Sequence, residues 1–148
     1  MGGGGALHVK HSGRCHCGNL QYEFETALAP EALPLRACQC SFCRAHGALS
    51  TSDPKGSVAI QARDPDLVQR YRFGLGVTDF LICRRCGVYL LAMMEFEGAR
   101  YAVLSANVLD CRDRMGPPQP MDYDGEDAAG RMSRRRTRWT PVVALRGF

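Results

Sequence analysis

The chain has 148 residues, with 45% apolar and 23% charged side chains and a formal charge of +4. That length suits one ordinary domain, the composition excludes wholesale disorder, and the charge is too small to indicate a nucleic-acid binder by itself. A chain of this size needs no staples to make a core. Yet it carries eight cysteines, too few for a disulfide scaffold and too many for apolar filler.

Met1 is followed by four glycines, so residues 1–6 read as a flexible leader, with neither the basic nor the apolar segment of a secretory signal. Residues 7–148 read as a single domain. The longest apolar run, residues 88–94, is far short of the roughly 20 residues that span a bilayer, so no membrane association is expected. A leaderless chain is expected in the reducing cytoplasm, where clustered cysteines serve metals or catalysis.

Residues 20–25 alternate apolar Leu20, Tyr22 and Phe24 with polar neighbours, the period of a half-buried strand. Residues 27–35 hold Pro30 and Pro34 and read as a loop or broken turn. Ser41 is a candidate N-cap for a short helix over residues 42–48. Residues 57–62 repeat the strand period. Asp64-Pro65-Asp66 predicts a turn at residues 67–71, with proline near the first helical position. Residues 78–82, 88–96 and 101–108, rich in β-branched, aromatic and aliphatic side chains, read as further strands. Short strands at this spacing predict antiparallel sheets rather than βαβ units.

After Asp110 the composition changes. Residues 116–120 are rich in proline and glycine. An acidic patch (Asp122, Asp124, Glu126, Asp127) precedes a basic one (Arg131, Arg134, Arg135, Arg136, Arg138). Residues 110–138 are therefore expected to be loop-rich, with Trp139 and the apolar residues 141–145 returning the end to the core.

The cysteines are spaced as Cys15-x-Cys17, Cys38-x-Cys40-x-x-Cys43 and Cys83-x-x-Cys86, with Cys111 alone. Zinc takes thiolates in tetrahedral array, and short spacings of this kind suit it. By count, Cys15, Cys17, Cys83 and Cys86 would close a four-cysteine site. Cys38, Cys40 and Cys43 would leave one position open, as catalytic zinc requires. An iron–sulfur cluster, disulfides, or a different partition pairing Cys38 and Cys40 with Cys83 and Cys86 remain open on spacing alone. An isolated cysteine such as Cys111 is more often inert than functional.

Gly13-Arg14-Cys15-His16-Cys17-Gly18-Asn19-Leu20, Cys38-Gln39-Cys40-Ser41-Phe42-Cys43-Arg44 and Cys83-Arg84-Arg85-Cys86-Gly87 resemble the three signature blocks of the glutathione-dependent formaldehyde-activating enzyme family, which also includes centromere protein V. Order and intervals agree over about residues 7–110, although Ile82 stands where that family usually has an aromatic. The resemblance implies a mainly β fold: two small antiparallel sheets crosslinked by a four-cysteine zinc site, one or two short helices and a long C-terminal loop. It implies two zinc ions, one structural on Cys15, Cys17, Cys83 and Cys86 and one catalytic on Cys38, Cys40 and Cys43. It implies a carbon–sulfur lyase reaction joining glutathione, as co-substrate, to formaldehyde. The expected partner is thus a small thiol or glutathione adduct.

Arg44 and His46, just after the third ligand of the open site, are candidate substrate contacts, Arg44 for a carboxylate and His46 as acid, base or ligand. His8 and His11 carry little signal. The competing reading is a non-catalytic, zinc-stabilised binding module using Arg131 to Arg138 against an acidic partner. Nucleic acid is disfavoured by the acidic residues beside the arginines.

Overall fold

The computed structural model describes residues 8–123 and 125–148. The predicted leader and Asp124 of the acidic patch lie outside the described residues. In chain order the protein forms β1 (Val9–Arg14), β2 (Leu20–Thr26), β3 (Arg36–Cys38), α1 (Ser41–His46), β4 (Ser50–Thr51), β5 (Ser57–Ala62), β6 (Val68–Tyr71), β7 (Thr78–Cys83), β8 (Tyr89–Phe96), β9 (Ala99–Ser105), β10 (Gln119–Met121), α2 (Ala128–Arg138) and β11 (Thr140–Arg146).

The alternation in β2 does what its period demands: Leu20, Tyr22, Phe24 and Thr26 are buried while Glu23 faces out. β1 and β5 flank it, both antiparallel. β6, β7, β8 and β9 form an antiparallel meander, whose β8–β9 turn is closed by Glu97 and Gly98 in left-handed conformations. β4, β3 and β10 continue outward from β9.

The mainly β class with two helices agrees with expectation, but the two antiparallel sheets are one mixed sheet. The cause is β11. Its first residues, Thr140 and Pro141, pair antiparallel with β9. From Val142 onward, with an irregularity between Val142 and Ala144, the same strand runs parallel to β5. β10 also pairs parallel with β3. The predicted turn at residues 67–71 is a 3-10 turn at Pro65–Leu67, capped by the Asp64 carboxylate, leading straight into β6. The stretch expected to be loop-rich ends instead in α2. There the Asp127 side chain accepts from Gly130 N–H at 2.7 Å, and arginines, good helix formers, fill the last turn where the helix dipole favours cations.

Strands β7 to β9 are covered on both faces, which explains the continuous apolar run of β8. Leu81, Leu91, Met93 and Leu104 pack with Tyr22, Phe24, Val58 and Ile60. Phe80, Tyr89, Ala92, Met94 and Trp139 pack on the opposite face. Residues 89 and 91 would share a face in a regular strand. The β7–β8 register shifts between Leu81 and Ile82, and this bulge moves Tyr89 to the face of Ala92 and Met94.

Gly13 lies opposite Tyr22, whose buried hydroxyl donates to the Ser105 carbonyl at 2.8 Å. A Cβ at Gly13 would overlap the Tyr22 ring. Gly13→Ala is therefore expected to destabilise the fold by about 1–3 kcal/mol through overpacking, read by chemical denaturation. Unchanged stability would contradict this placement of Tyr22.

Candidate metal centre and anion cavity

Two turns of the same design carry the first cluster. After β1 the chain turns through Cys15, Cys17 and Gly18, closed by Gly18 N–H to the Cys15 carbonyl at 3.0 Å. After β7 it turns through Cys83, Cys86 and Gly87, closed by Gly87 N–H to the Cys83 carbonyl at 2.8 Å. Both glycines have positive φ, which their missing Cβ permits. Leu20 N–H points at Cys15 Sγ (3.3 Å) and Cys86 N–H at Cys83 Sγ (3.5 Å), contacts that strengthen when the sulfur is ionised.

The four sulfurs of Cys15, Cys17, Cys83 and Cys86 lie within 4.8 Å of one another. Cys15 and Cys17 are 3.7 Å apart, and Cys17 and Cys83 are 3.5 Å apart. Sulfurs at Zn–S bonds of about 2.3 Å in a tetrahedron stand roughly 3.8 Å apart, so the donors fit zinc in type and spacing. Burial raises the Cys83 thiol to about 12; at Cys86 burial is also the largest single influence and raises, but the backbone N–H groups of Cys17 and Val88 and the Cys83 and Cys15 thiols together bring it down to about 6.

The second cluster is Cys38, Cys40 and Cys43, again with sulfurs within 4.8 Å. Cys38 ends β3. Cys40, rather than the expected Ser41, is the N-cap of α1, its sulfur accepting from Cys43 N–H at 3.4 Å. Hydrogen bonds from Cys38 and then Cys43 hold Cys40 far below the ordinary thiol range, while contacts with Cys38 and then Cys40 push Cys43 up. Both clusters bring together the cysteines expected from spacing, and either could hold a metal ion.

The three cysteines open on a cavity of about 140 Å³. Phe80, Tyr89 and Trp139 make its apolar wall, and Arg36, Arg131, Arg134, Arg135 and Arg138 give it a positive one. Arg134 and Arg131 are tied to Glu126, Arg134 by a two-pronged pair at 2.9 and 3.0 Å. Arg135 makes no ion pair among the described residues. It donates to Thr78 Oγ1 at 2.6 Å, lies 5.0 Å from the Trp139 ring and leaves its Nε buried without a partner. Burial, then Arg134 and Arg131, lowers its pKa to about 10. Arg36, also lowered by burial, donates to Ser52 Oγ at 2.9 Å. Two partly desolvated guanidinium groups lining one cavity, neither in an ion pair among the described residues, can receive an anion.

Arg44 and His46 are both exposed and do not line the cavity, though the His46 ring lies tilted by 33° against Phe42, with ring centres 4.4 Å apart. The charged contacts come instead from α2 and β3. Asp127 followed by Ala128-Ala129 is the signal for a helix able to present Arg131, Arg134, Arg135 and Arg138 together.

Fold and site define a β protein with two cysteine clusters, one facing an arginine-lined cavity. Residues 10–123 match the family described as glutathione-dependent formaldehyde-activating enzyme. The chain belongs to that family. A crystal structure of a Rhodobacter sphaeroides protein, a structural-genomics target, is similar at 26% identity and a TM-score of 0.56, over 74% of this chain and 99% of that one. No curated protein matches significantly. No helix among the described residues is long and apolar enough to cross a membrane.

The Glu126 carboxyl is held below the usual range, chiefly by Arg134 hydrogen bonds. A depressed folded-state pKa stabilises above the unfolded value and loses that contribution as pH falls through the folded value. The stability difference between wild type and Glu126→Gln should therefore be full above the ordinary glutamate value of about 4.3 and shrink towards zero below it. Paired denaturation curves across pH check this. A difference that does not vary with pH would contradict it.

Proposed function

We propose that the protein is a zinc-dependent enzyme of carbon–sulfur lyase type, acting on the adduct of an anionic thiol such as glutathione with a small carbonyl compound such as formaldehyde. The observation that carries this reading is that Cys38, Cys40 and Cys43 face the same cavity as the unneutralised Arg135 and Arg36. In this reading Cys15, Cys17, Cys83 and Cys86 hold a structural zinc, and Cys38, Cys40 and Cys43 hold a second with one position left for substrate. When bound there, the metal supplies Lewis acidity and lowers the pKa of a thiol or water presented to it.

The chain's own residues do the rest. Arg135 and Arg36 take a substrate carboxylate and orient the thiol end towards the cysteines. Phe80, Tyr89 and Trp139 exclude water from the reacting end. Burial raises the Tyr89 phenol well above its ordinary range. It is therefore a hydrogen-bond donor for the carbonyl oxygen as negative charge gathers on it. In the adding direction a sulfur–carbon bond forms, the C=O π pair moves to oxygen, and the proton lost by the thiol ends on that oxygen. The lyase direction reverses each transfer. Free cysteines throughout suit a reducing compartment, the cytoplasm. Against the rival binding module, four of the five α2 arginines line the cavity, and two of these share the Glu126 carboxylate.

Formation and breakdown of S-hydroxymethylglutathione, followed by exchange NMR, tests this. Cys40→Ser should abolish the protein's acceleration while retaining the fold. Arg135→Met should raise KM about 10- to 100-fold, the equivalent of about 1.5–3 kcal/mol for a hydrogen bond to a charged group. Full activity in Cys40→Ser, or no acceleration by the wild type, would overturn the assignment.

A further inference from the structure

A third group of metal-ligating side chains lies apart from both cysteine clusters. A ring nitrogen of His11, a carboxylate oxygen of Asp110 and Cys111 Sγ lie within 4.8 Å of one another. His11 is on β1, on the inward side of the strand with Gly13. Asp110 and Cys111 follow the 3-10 turn Ala106–Val108. Backbone bonding fixes these segments together: Asp110 N–H donates to the Ser12 carbonyl at 2.9 Å, Ser12 N–H returns to Asp110 Oδ2 at 3.1 Å, and Gly13 bridges to Leu109. Asp110 therefore has one oxygen held by the backbone and the other, Oδ1, turned to His11.

Two details do not suit a simple histidine–aspartate hydrogen bond. The His11 Nδ1 to Asp110 Oδ1 distance is 3.5 Å, beyond the roughly 2.7–3.2 Å of an N–H···O bond. Two ligands at metal bonds of about 2.0–2.1 Å in a tetrahedron stand roughly 3.3 Å apart, close to what is seen. In addition, only 9% of the His11 side chain is exposed, and its far nitrogen, Nε2, is buried with no partner among the described residues, so no second hydrogen bond holds the ring in the tautomer that would occupy Nδ1 with the proton.

We propose that His11, Asp110 and Cys111 form a third metal site, for a divalent transition ion of borderline softness such as Zn²⁺. The mixed sulfur, nitrogen and oxygen set excludes Mg²⁺ and Ca²⁺, which take oxygen ligands. Cys111 and His11 supply the buried donors, and Asp110, with a side chain 55% exposed, forms the mouth. Three protein donors leave a position for solvent or for a small ligand arriving from that side. The Ser12 N–H plays the outer-shell part that fixes a ligating carboxylate.

The test uses the full chain, stripped of metal and reloaded separately with Zn²⁺ and Co²⁺, with ions per chain counted by plasma mass spectrometry. His11→Ala and Cys111→Ala should each hold one ion fewer than wild type. Cys111→Ala keeps a small apolar group in a buried place, and near-ultraviolet circular dichroism confirms that the fold is retained. Asp110→Asn preserves the acceptor for Ser12 N–H and should weaken that one ion by about tenfold or more. Loss of the ion must also occur in a Cys40→Ser background, which separates this site from the cysteine triad whatever the triad's role proves to be. Folded His11→Ala and Cys111→Ala proteins with the same ion count as wild type would overturn the proposal and leave an ordinary ion pair.

Discussion

Four sulfurs from two distant turns, two pairs of them only 3.5 and 3.7 Å apart, set a condition that the rest of the fold must satisfy. As thiols they are weak hydrogen-bonding groups and gain little from meeting. As thiolates they repel, because like charges at this distance cannot all ionise unaided. A cation removes the conflict, and its binding free energy becomes folding free energy. The constraint is long-range: it fixes the end of β1 against the end of β7. With that junction held, β2 and β5 present their apolar faces to β7, β8 and β9, and β11 can pair with β5 and β9 at once.

The second consequence is the cavity. One face of the β7–β9 meander is filled by the first hairpin, and the other is only partly filled, by α1, α2 and Trp139. What remains open is bounded by sulfurs on one side and guanidinium groups on the other. Burying Arg135 and Arg36 without a carboxylate costs free energy, visible in their lowered pKa values. A site that stores a cost of this kind recovers it when an anion arrives. In the proposed function, that anion would be one end of a small thiol whose other end meets a metal held by Cys38, Cys40 and Cys43.

Much of this is legible in the residues. Cysteine spacing marks the local groups, because turns of the form Cys-x-Cys-Gly and Cys-x-x-Cys-Gly are local structures; that Cys15 and Cys17 meet Cys83 and Cys86 rather than another pair is set by the fold, as counting ligands suggested but spacing alone left open. The strand periods of β2 and β5 are equally local. The single mixed sheet is not legible, because parallel pairing of β11 with β5 joins residues more than 80 apart and leaves no mark in either segment. Neither is the bulge that moves Tyr89 into the cavity, since it depends on β7–β8 register. Arg44 and His46 stand out by closeness in sequence to Cys43, but α1 turns them to solvent. The α2 arginines read as a loop because their polarity outweighs the capping signal at Asp127. His11 and Cys111 look inert for a related reason: each is isolated in sequence and they meet only in the fold.

The central claim is that Cys38, Cys40 and Cys43 hold a metal ion with a position open towards Arg135. Anomalous diffraction at the zinc edge from crystals of the zinc-loaded protein measures it directly. One peak is expected among Cys15, Cys17, Cys83 and Cys86, with four sulfur ligands. Another is expected among Cys38, Cys40 and Cys43 with three, its remaining ligand being solvent or a small molecule on the arginine side. No peak at the second cluster, or a fourth protein side chain closing it, would contradict the claim.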